Sequence, residues 1–315
     1  MRAPVRLLTA TLAVLTAAAC GNEPTQRAQT AGERTTTNAA WTVDATGQVS
    51  CSAGKLPRRP GPAVLTAELD GTTAVLSGRT DGDRYLPVLR SPRLTVRDAH
   101  QSSIVQLRPD RFAYQHRYIP AQLTLDRQVR GYVCLLRTED GPPVAVVSVY
   151  AGGAHCCTTV QLADATGKRT HLETGNAGAR LAVLDGHALL RTGDDSFNYV
   201  FTDFADSCSP VVLRRPSTTD LGDVTTSYPG VLRADAQQMW TWAQRRTLRQ
   251  GLIACWAADE IRLGHEKSVW TTLHRLVAAG KLDMPRAQST ADWVGGSAYV
   301  AKLRRFLAAH GYRAG

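Results

Sequence analysis

Acidic residues are scarce in this sequence, and long apolar runs are missing from most of it. The 315 residues include 27 Asp and Glu against 37 Lys and Arg, which gives a net charge of +10 at pH 7. Such a balance favours anionic surroundings, for example lipid head groups or polymers of the cell envelope. Beyond the first 20 residues no stretch is long and apolar enough to cross a membrane as a helix, so we expect a mature protein that does not span one.

Aromatic residues are also few, at 6% of the chain. The arginines are scattered, and the clearest aromatic side chains recur at the spacing of a hydrophobic core rather than beside a basic stripe. Both features argue against nucleic acid as a partner. The partners we expect are the membrane, through an N-terminal lipid, and anionic envelope polymers or another envelope protein.

The N-terminus has the organisation of an export signal. Residues 1–19 contain Arg2 and Arg6, then a short apolar stretch, then three alanines before Cys20. The stretch "LTAAAC" resembles a bacterial lipobox, in which the cysteine is lipidated and becomes the mature N-terminus. We predict a lipoprotein signal peptide over 1–19, lipidation of Cys20 and attachment to the outer face of the cytoplasmic membrane. An ordinary secretory signal with cleavage nearby is the alternative.

The rest of the chain divides into three parts. Residues 20–48 have almost no large apolar side chain before Trp41, so we expect a disordered tether. Residues 49–216 alternate short apolar segments with polar turns, which predicts a β domain, and residues 228–315 show helical periodicity. The predicted fold class is therefore α+β: an antiparallel β-rich domain, either a sandwich or propeller-like, followed by a small C-terminal helical bundle.

Local signals predict several details of these parts. Asp70-Gly71 and Asp185-Gly186 each lie between apolar runs, as in two-residue β-hairpin loops. In the helical part Ser268 is expected to cap one helix and Gly280 to end it, Gly311 to end the last helix, and the tryptophans to lie in the core. The segment "FNYVF" predicts a strand with three aromatic side chains on one face: Phe197, Tyr199 and Phe201.

Six cysteines remain after Cys20. An even number in an exported chain predicts a disulfide framework, and six cysteines allow 15 connectivities. The candidates are Cys51, Cys134, Cys156, Cys157, Cys208 and Cys255. We expect Cys208 to bind either Cys156 or Cys157, because it ends a nearby strand of the same predicted domain.

The stretch "AGGAHCCTT" (151–159) places a histidine beside two adjacent cysteines. If a strand continues through it, Cys156 faces the apolar side while Cys157 and His155 face the other. We interpret the motif as structural, with disulfides to other cysteines. A bond between the two neighbours and a cysteine nucleophile assisted by His155 are the alternatives.

A second cluster supplies a candidate polar pocket with His155: Asp194, Asp195 and Asn198. Carboxylates beside a histidine suit acid–base chemistry, and clustered oxygen ligands suit calcium. The favoured interpretation is that Asp194 and Asp195 form a turn and cap its backbone groups. No catalytic, metal or cofactor motif is complete, so we expect no metal and no cofactor.

The stretch "EDGPPVAVVSVYAGGAHCC" resembles a segment of uncharacterised exported bacterial proteins, in which an acidic turn of the FG-GAP or VCBS-repeat kind leads into a strand and a "GGAHCC" element. The resemblance covers about 20 residues and implies a β-rich, propeller-like domain at the cell envelope. In those repeats the acidic turn can hold calcium, but Glu139 and Asp140 are too few carboxylates for such a loop. We predict a lipid-anchored extracytoplasmic binding or scaffolding protein. A hydrolase that uses His155, Asp194 and Asp195, and a calcium-stabilised β module, are the alternatives.

Overall fold

Strands fill the first part of the chain and helices fill the last, as the change of periodicity predicts. The computed structural model describes residues 41–81, 87–107, 118–125, 129–150, 158–245, 249–283 and 293–313. In chain order the strands are β1 (Trp41–Val43), β2 (Val49–Ser52), β3 (Gly61–Leu69), β4 (Thr72–Thr80), β5 (Leu89–Arg97), β6 (Ser102–Gln106), β7 (Ile119–Ala121), β8 (Leu123–Thr124), β9 (Arg130–Gly131), β10 (Val133–Leu136), β11 (Val144–Tyr150), β12 (Thr158–Ala163), β13 (Arg169–Gly175), β14 (Arg180–Leu184), β15 (His187–Gly193) and β16 (Val211–Arg214). The helices are α1 (Pro229–Arg245), α2 (Gln250–Arg262), α3 (Glu266–Ala278) and α4 (Gly296–Ala309).

The strands form antiparallel sheets. The largest has the order β1-β2-β10-β11-β12-β13, with β7 also paired to β11. Strands β3 to β6 form a four-stranded meander, β14 to β16 a three-stranded one, and β8 pairs with β9. The predicted α+β class is confirmed.

The largest sheet is buried on both faces. Leu135 and Val147 pack with Leu76 and Leu94 of the four-stranded meander in one hydrophobic cluster. Their neighbours along the strands, such as Val146, lie in a second cluster with residues of β14 and β15. Burial on both sides explains why β11 reads as an almost continuous apolar run instead of an alternating one. This face-to-face packing of the described strands is that of a sandwich.

Both predicted hairpin loops are confirmed. Leu69 faces Thr72 across Asp70-Gly71, and Leu184 faces His187 across Asp185-Gly186. The φ angles are +50° and +73° in the first loop and +50° and +80° in the second. Two successive positive φ angles are what a type I′ turn requires, and its twist matches that of the flanking strands.

The helix ends agree with the sequence at Gly280 and Gly311, which follow α3 and α4 with φ angles of +65° and +78°. The prediction for Ser268 is wrong, because α3 begins at Glu266 and Ser268 lies in its first turn. An acidic residue is favourable at a helix N-terminus, and the Glu266 carboxylate also accepts a hydrogen bond from the indole of Trp270 at 3.0 Å.

The segment "FNYVF" is not a strand, so that prediction is wrong. A short 3₁₀ turn spans Asp195–Phe197, and Tyr199 has a φ angle of +63°, which breaks the alternation. Phe197 and Phe201 enter the hydrophobic cluster of the helices, whereas Tyr199 is 47% exposed. All described residues belong to one compact unit, in which these two phenylalanines join the β-rich part to the helical part.

One disulfide joins Cys51 of β2 to Cys134 of β10, which face each other across the sheet with their Cα atoms 4.1 Å apart. A second joins Cys208 to Cys255 of α2, so the expected bond from Cys208 to Cys156 or Cys157 is wrong. Cys156 and Cys157 lie outside the described residues. Two disulfides indicate an oxidising, extracytoplasmic environment.

The reason for the second pairing is a close approach between the segment before Cys208 and the start of α2. A Cβ atom on Gly251 would lie 2.3 Å from the carbonyl oxygen of Asp206, a distance that only glycine allows. Arg249 also forms an ion pair with Asp206 at 2.8 Å.

In the described part of the chain, no helix is both long and apolar enough to span a membrane.

Candidate functional site

The predicted polar pocket is built around two neighbouring carboxylates whose oxygens are already engaged. Asp194 accepts hydrogen bonds from the backbone N–H of Ser196 at 2.9 Å and from the hydroxyl of Tyr312 at 2.7 Å. Burial alone would raise the pKa of Asp194, but the hydrogen bonds from Ser196 and Tyr312 outweigh it and lower the pKa. This carboxylate therefore stays ionised and fastens the 3₁₀ turn to the C-terminal segment.

Asp195 ties the same turn to the β13–β14 connection. Its carboxylate accepts from the backbone N–H of Asn176 at 2.7 Å and from the hydroxyl of Ser209 at 3.1 Å. A Cβ atom on Gly175 would collide with this carboxylate, and Gly175 also has a φ angle of +50°. Asp194 therefore caps the turn as the sequence predicts, whereas Asp195 binds the backbone of the β13–β14 connection instead. His155 lies outside the described residues.

The carboxylate of Glu139, in the acidic turn, is engaged by an arginine and lies close to a histidine ring. Glu139 lies 3.2 Å from Arg215 and 3.4 Å from the Nδ1 atom of His187, beside a cavity of about 270 Å³. Nowhere in the ranges that the structure describes do three or more His, Cys, Asp or Glu side chains form a group able to hold a metal ion.

An open groove of about 640 Å³ passes beside Asn198. It lies between the sheet of β14 to β16, the segment from Asn198 to Ser209 and helix α1, and we call it the α1 groove. Its polar lining comprises two arginines, three side-chain amides and several hydroxyls, and its aromatic lining comprises Phe204 and Trp242. The lining is more polar than apolar, and polar groups that converge on a concave surface fix the orientation of a bound ligand.

The charges in the α1 groove are unevenly matched. Arg180 and Arg191 are directly opposite each other on β14 and β15. Asp235, the only carboxylate among the described lining residues, lies 3.3 Å from Arg191. Asp235 also accepts a hydrogen bond from the backbone N–H of Val211 at 3.3 Å. Arg180 has no ion-pair partner in the described segments, so the groove carries an excess positive charge.

A second carboxyl group is buried near Asp235, a residue of the groove. Asp259 of α2 is 0% exposed. Burial and the adjacent Asp235 carboxylate raise the pKa of Asp259 well above its usual range, although Arg262 opposes the shift. The buried Asp259 carboxyl therefore keeps its proton to a higher pH than an exposed aspartate does, and neither of its oxygens has a hydrogen-bond partner among the described residues.

We expect the Asp259→Asn variant to be more stable than the wild type at pH 7. Asp259 has a higher pKa in the folded state than in the unfolded chain, so the folded state binds its proton more tightly. The resulting stabilisation is complete below the unfolded-state pKa and is lost as pH rises through the folded-state pKa. Asparagine has nearly the same shape and no ionisable proton, so the variant avoids the cost of ionising a buried carboxyl group. Its melting temperature at pH 7 should be about 3 °C higher, with a smaller decline above pH 4.

Thermal melts from pH 4 to pH 8 would measure this difference. The exposed Asp140→Asn variant, which makes the same chemical change, is the control and should follow the wild type. Equal or lower stability of Asp259→Asn across that range would contradict the assignment.

Sequence reasoning placed Asn198 in a candidate pocket but missed the other residues of the α1 groove. Asp259 lies four positions after Cys255, on the same side of a helix as a disulfide cysteine, which signals a buried carboxyl group in α2 but not the groove itself. Arg180, Arg191 and Trp242 carry no local signal, because nothing in the sequence shows which strands lie beside α1.

The fold and the groove define an extracytoplasmic, disulfide-linked α+β protein with a cationic groove. No protein-family model matches the chain, and no solved structure matches it. An alignment of 143 positions, which covers 42% of the chain, shows 27% identity to an uncharacterized protein, y4bJ, of Sinorhizobium fredii (strain NBRC 101917 / NGR234). The match covers 22% of that relative, so the chain spans about a fifth of its length.

Proposed function

We propose that this protein is a lipid-anchored binding or scaffolding module at the outer face of the cytoplasmic membrane. The observation that carries the proposal is the α1 groove, which combines an arginine without an ion-pair partner in the described segments, amide side chains and an exposed indole. The lipid on Cys20 would hold this groove close to envelope polymers and to other envelope proteins. The net positive charge of the chain favours anionic ones.

The two alternatives have weaker support. A hydrolase would need a carboxylate available for proton transfer, but Asp194 and Asp195 both accept hydrogen bonds from the turns that they stabilise. A calcium module would need several free carboxylates in one loop, whereas Glu139 is paired with Arg215 and His187. A non-catalytic role accounts for these contacts.

One preparation of the full chain, extracted from membranes in detergent, tests both parts of the proposal. The first readout is the incorporation of an alkyne-labelled palmitate in growing cells. The wild type should be labelled, and Cys20→Ser should abolish the label because the acceptor sulfur is gone. Asn22→Ser, two residues further on, should be labelled normally. Equal labelling of Cys20→Ser would refute the anchor.

The second readout is co-sedimentation of the same protein with purified cell walls. Binding should be saturable and should weaken as salt rises, since screening reduces attraction between exposed charges. Walls treated with protease distinguish the partner: retained binding indicates a polymer, and lost binding indicates an envelope protein. If neither the untreated nor the protease-treated walls show saturable binding, the proposed role is overturned.

A further inference from the structure

The α1 groove places two positive charges together. Arg180 and Arg191 are cross-strand neighbours in β14 and β15. Like charges directly opposite each other destabilise a sheet, so this pair weakens the fold unless something neutralises it. Asp235 offsets Arg191 from the other side of the groove, at 3.3 Å. Arg180 is exposed and lacks such a partner in the described segments, which leaves it available to an anionic ligand.

The groove also exposes an unusual aromatic side chain. Trp242 of α1 is 42% exposed, in contrast to Trp270, which is buried in the helical core as the sequence predicts. The prediction that the tryptophans are core residues is therefore wrong for Trp242. No residue in the described ranges makes a hydrogen bond to its indole N–H. A partly exposed indole with a free donor suits a ligand that is apolar on one side and polar at its edge.

Side-chain amides complete the lining. Asn176, Asn198 and Gln238 reach the groove from three different elements: the β13–β14 connection, the segment after the 3₁₀ turn and helix α1. In the described parts of the chain their amide groups form no hydrogen bonds with protein atoms, so each can both donate to and accept from a ligand. Ligand hydroxyl groups, which also donate and accept, match such amides.

We propose that the α1 groove binds an anionic oligosaccharide, whose acidic group contacts Arg180 and whose sugar ring stacks on Trp242. A pyranose ring has an apolar face for the indole and hydroxyls at its edge for the amides. A guanidinium forms paired hydrogen bonds with a carboxylate or a phosphate. This inference rests on the proposed binding role and names the ligand class. Single-stranded nucleic acid fits less well, because it requires a basic groove that follows many phosphates, whereas Arg180 is the one unpaired arginine among the described lining residues.

The test is titration of the detergent-extracted full chain with defined probes, followed by tryptophan fluorescence and calorimetry. The probes are a short oligogalacturonate, which carries carboxylates, a phosphorylated oligosaccharide, a neutral chito-oligosaccharide and oligothymidylate. At least one acidic saccharide should bind at least about tenfold more tightly than the neutral one, because a hydrogen bond to a charged group is lost without the anion. Comparison of the first two probes shows whether the acidic group is a carboxylate or a phosphate.

Variants assign the binding to this groove. Arg180→Ala should weaken the acidic probe by about tenfold and leave the neutral probe unchanged. The matched control is Arg169→Ala, which removes an exposed arginine from β13 outside the groove and should change neither. Trp242→Ala should weaken both saccharides, and Trp242→Phe should restore most of the affinity because it keeps an aromatic face.

The outcomes separate this inference from the proposed function. If walls co-sediment with the protein while Arg180→Ala and Trp242→Ala bind them as the wild type does, the binding role stands and the groove assignment fails. Tighter binding of oligothymidylate than of every saccharide would also overturn the assignment. If Arg180→Ala loses wall binding while Arg169→Ala binds as the wild type does, both the binding role and the groove assignment are supported.

Discussion

Replacing Cys51 and Cys134 together by alanine is expected to lower the free energy of unfolding by about 4–5 kcal/mol. The disulfide closes a loop between residues 83 positions apart, and its removal returns that conformational freedom to the unfolded chain. The register of the sheet already holds the two cysteines opposite each other on β2 and β10, so the folded state keeps its geometry. Most of the loss should therefore come from the unfolded state.

Denaturant unfolding under oxidising conditions measures this effect. The midpoint should fall while the disulfide Cys208–Cys255, which spans 47 residues, remains intact in the variant. A reducing agent should destabilise the wild type by more than the alanine variant, because the wild type has this additional bond to lose. A change below about 1 kcal/mol would contradict the entropic argument.

Replacing Phe197 by alanine is expected to lower the free energy of unfolding by about 3–5 kcal/mol, as for other buried aromatic side chains. Phe197 is 2% exposed. Its ring packs edge-on against the rings of Phe306 and Tyr312, with centroid distances of 4.9 Å and 5.4 Å. The variant would leave a cavity where the β-rich part meets the helices, so both parts should become less stable together.

Tyr199→Ala is the matched control for Phe197→Ala, because it removes an aromatic ring two residues away in the same segment. Tyr199 is 47% exposed, and its ring centroid lies 5.6 Å from that of Phe204. Its replacement should therefore change the free energy of unfolding by less than about 1 kcal/mol. If this segment were instead a strand with Phe197, Tyr199 and Phe201 on one face, both variants would lose similar amounts of unfolding free energy. Circular dichroism monitored in the far and near ultraviolet during unfolding would report both values.

The sequence was informative wherever structure depends on neighbours along the chain. Asp70-Gly71 and Asp185-Gly186 predict their hairpins because few residue pairs accept two positive φ angles in succession. The change from alternating to helical periodicity predicts the order of strands and helices. "FNYVF" failed because alternation alone cannot show that Asp194 and Asp195 will cap a turn inside an aromatic run.

The amino-acid sequence by itself determined the α+β class, the hairpins and the presence of a disulfide framework, since these follow from local backbone preferences and cysteine content. Tertiary structure alone decided that Cys208 binds Cys255, because that bond depends on the close approach of Asp206 to Gly251. It alone also placed Arg180, Arg191 and Trp242 on the lining of one groove. These residues belong to a sheet and to a helix that only long-range packing places side by side, and no local pattern along the chain records such packing.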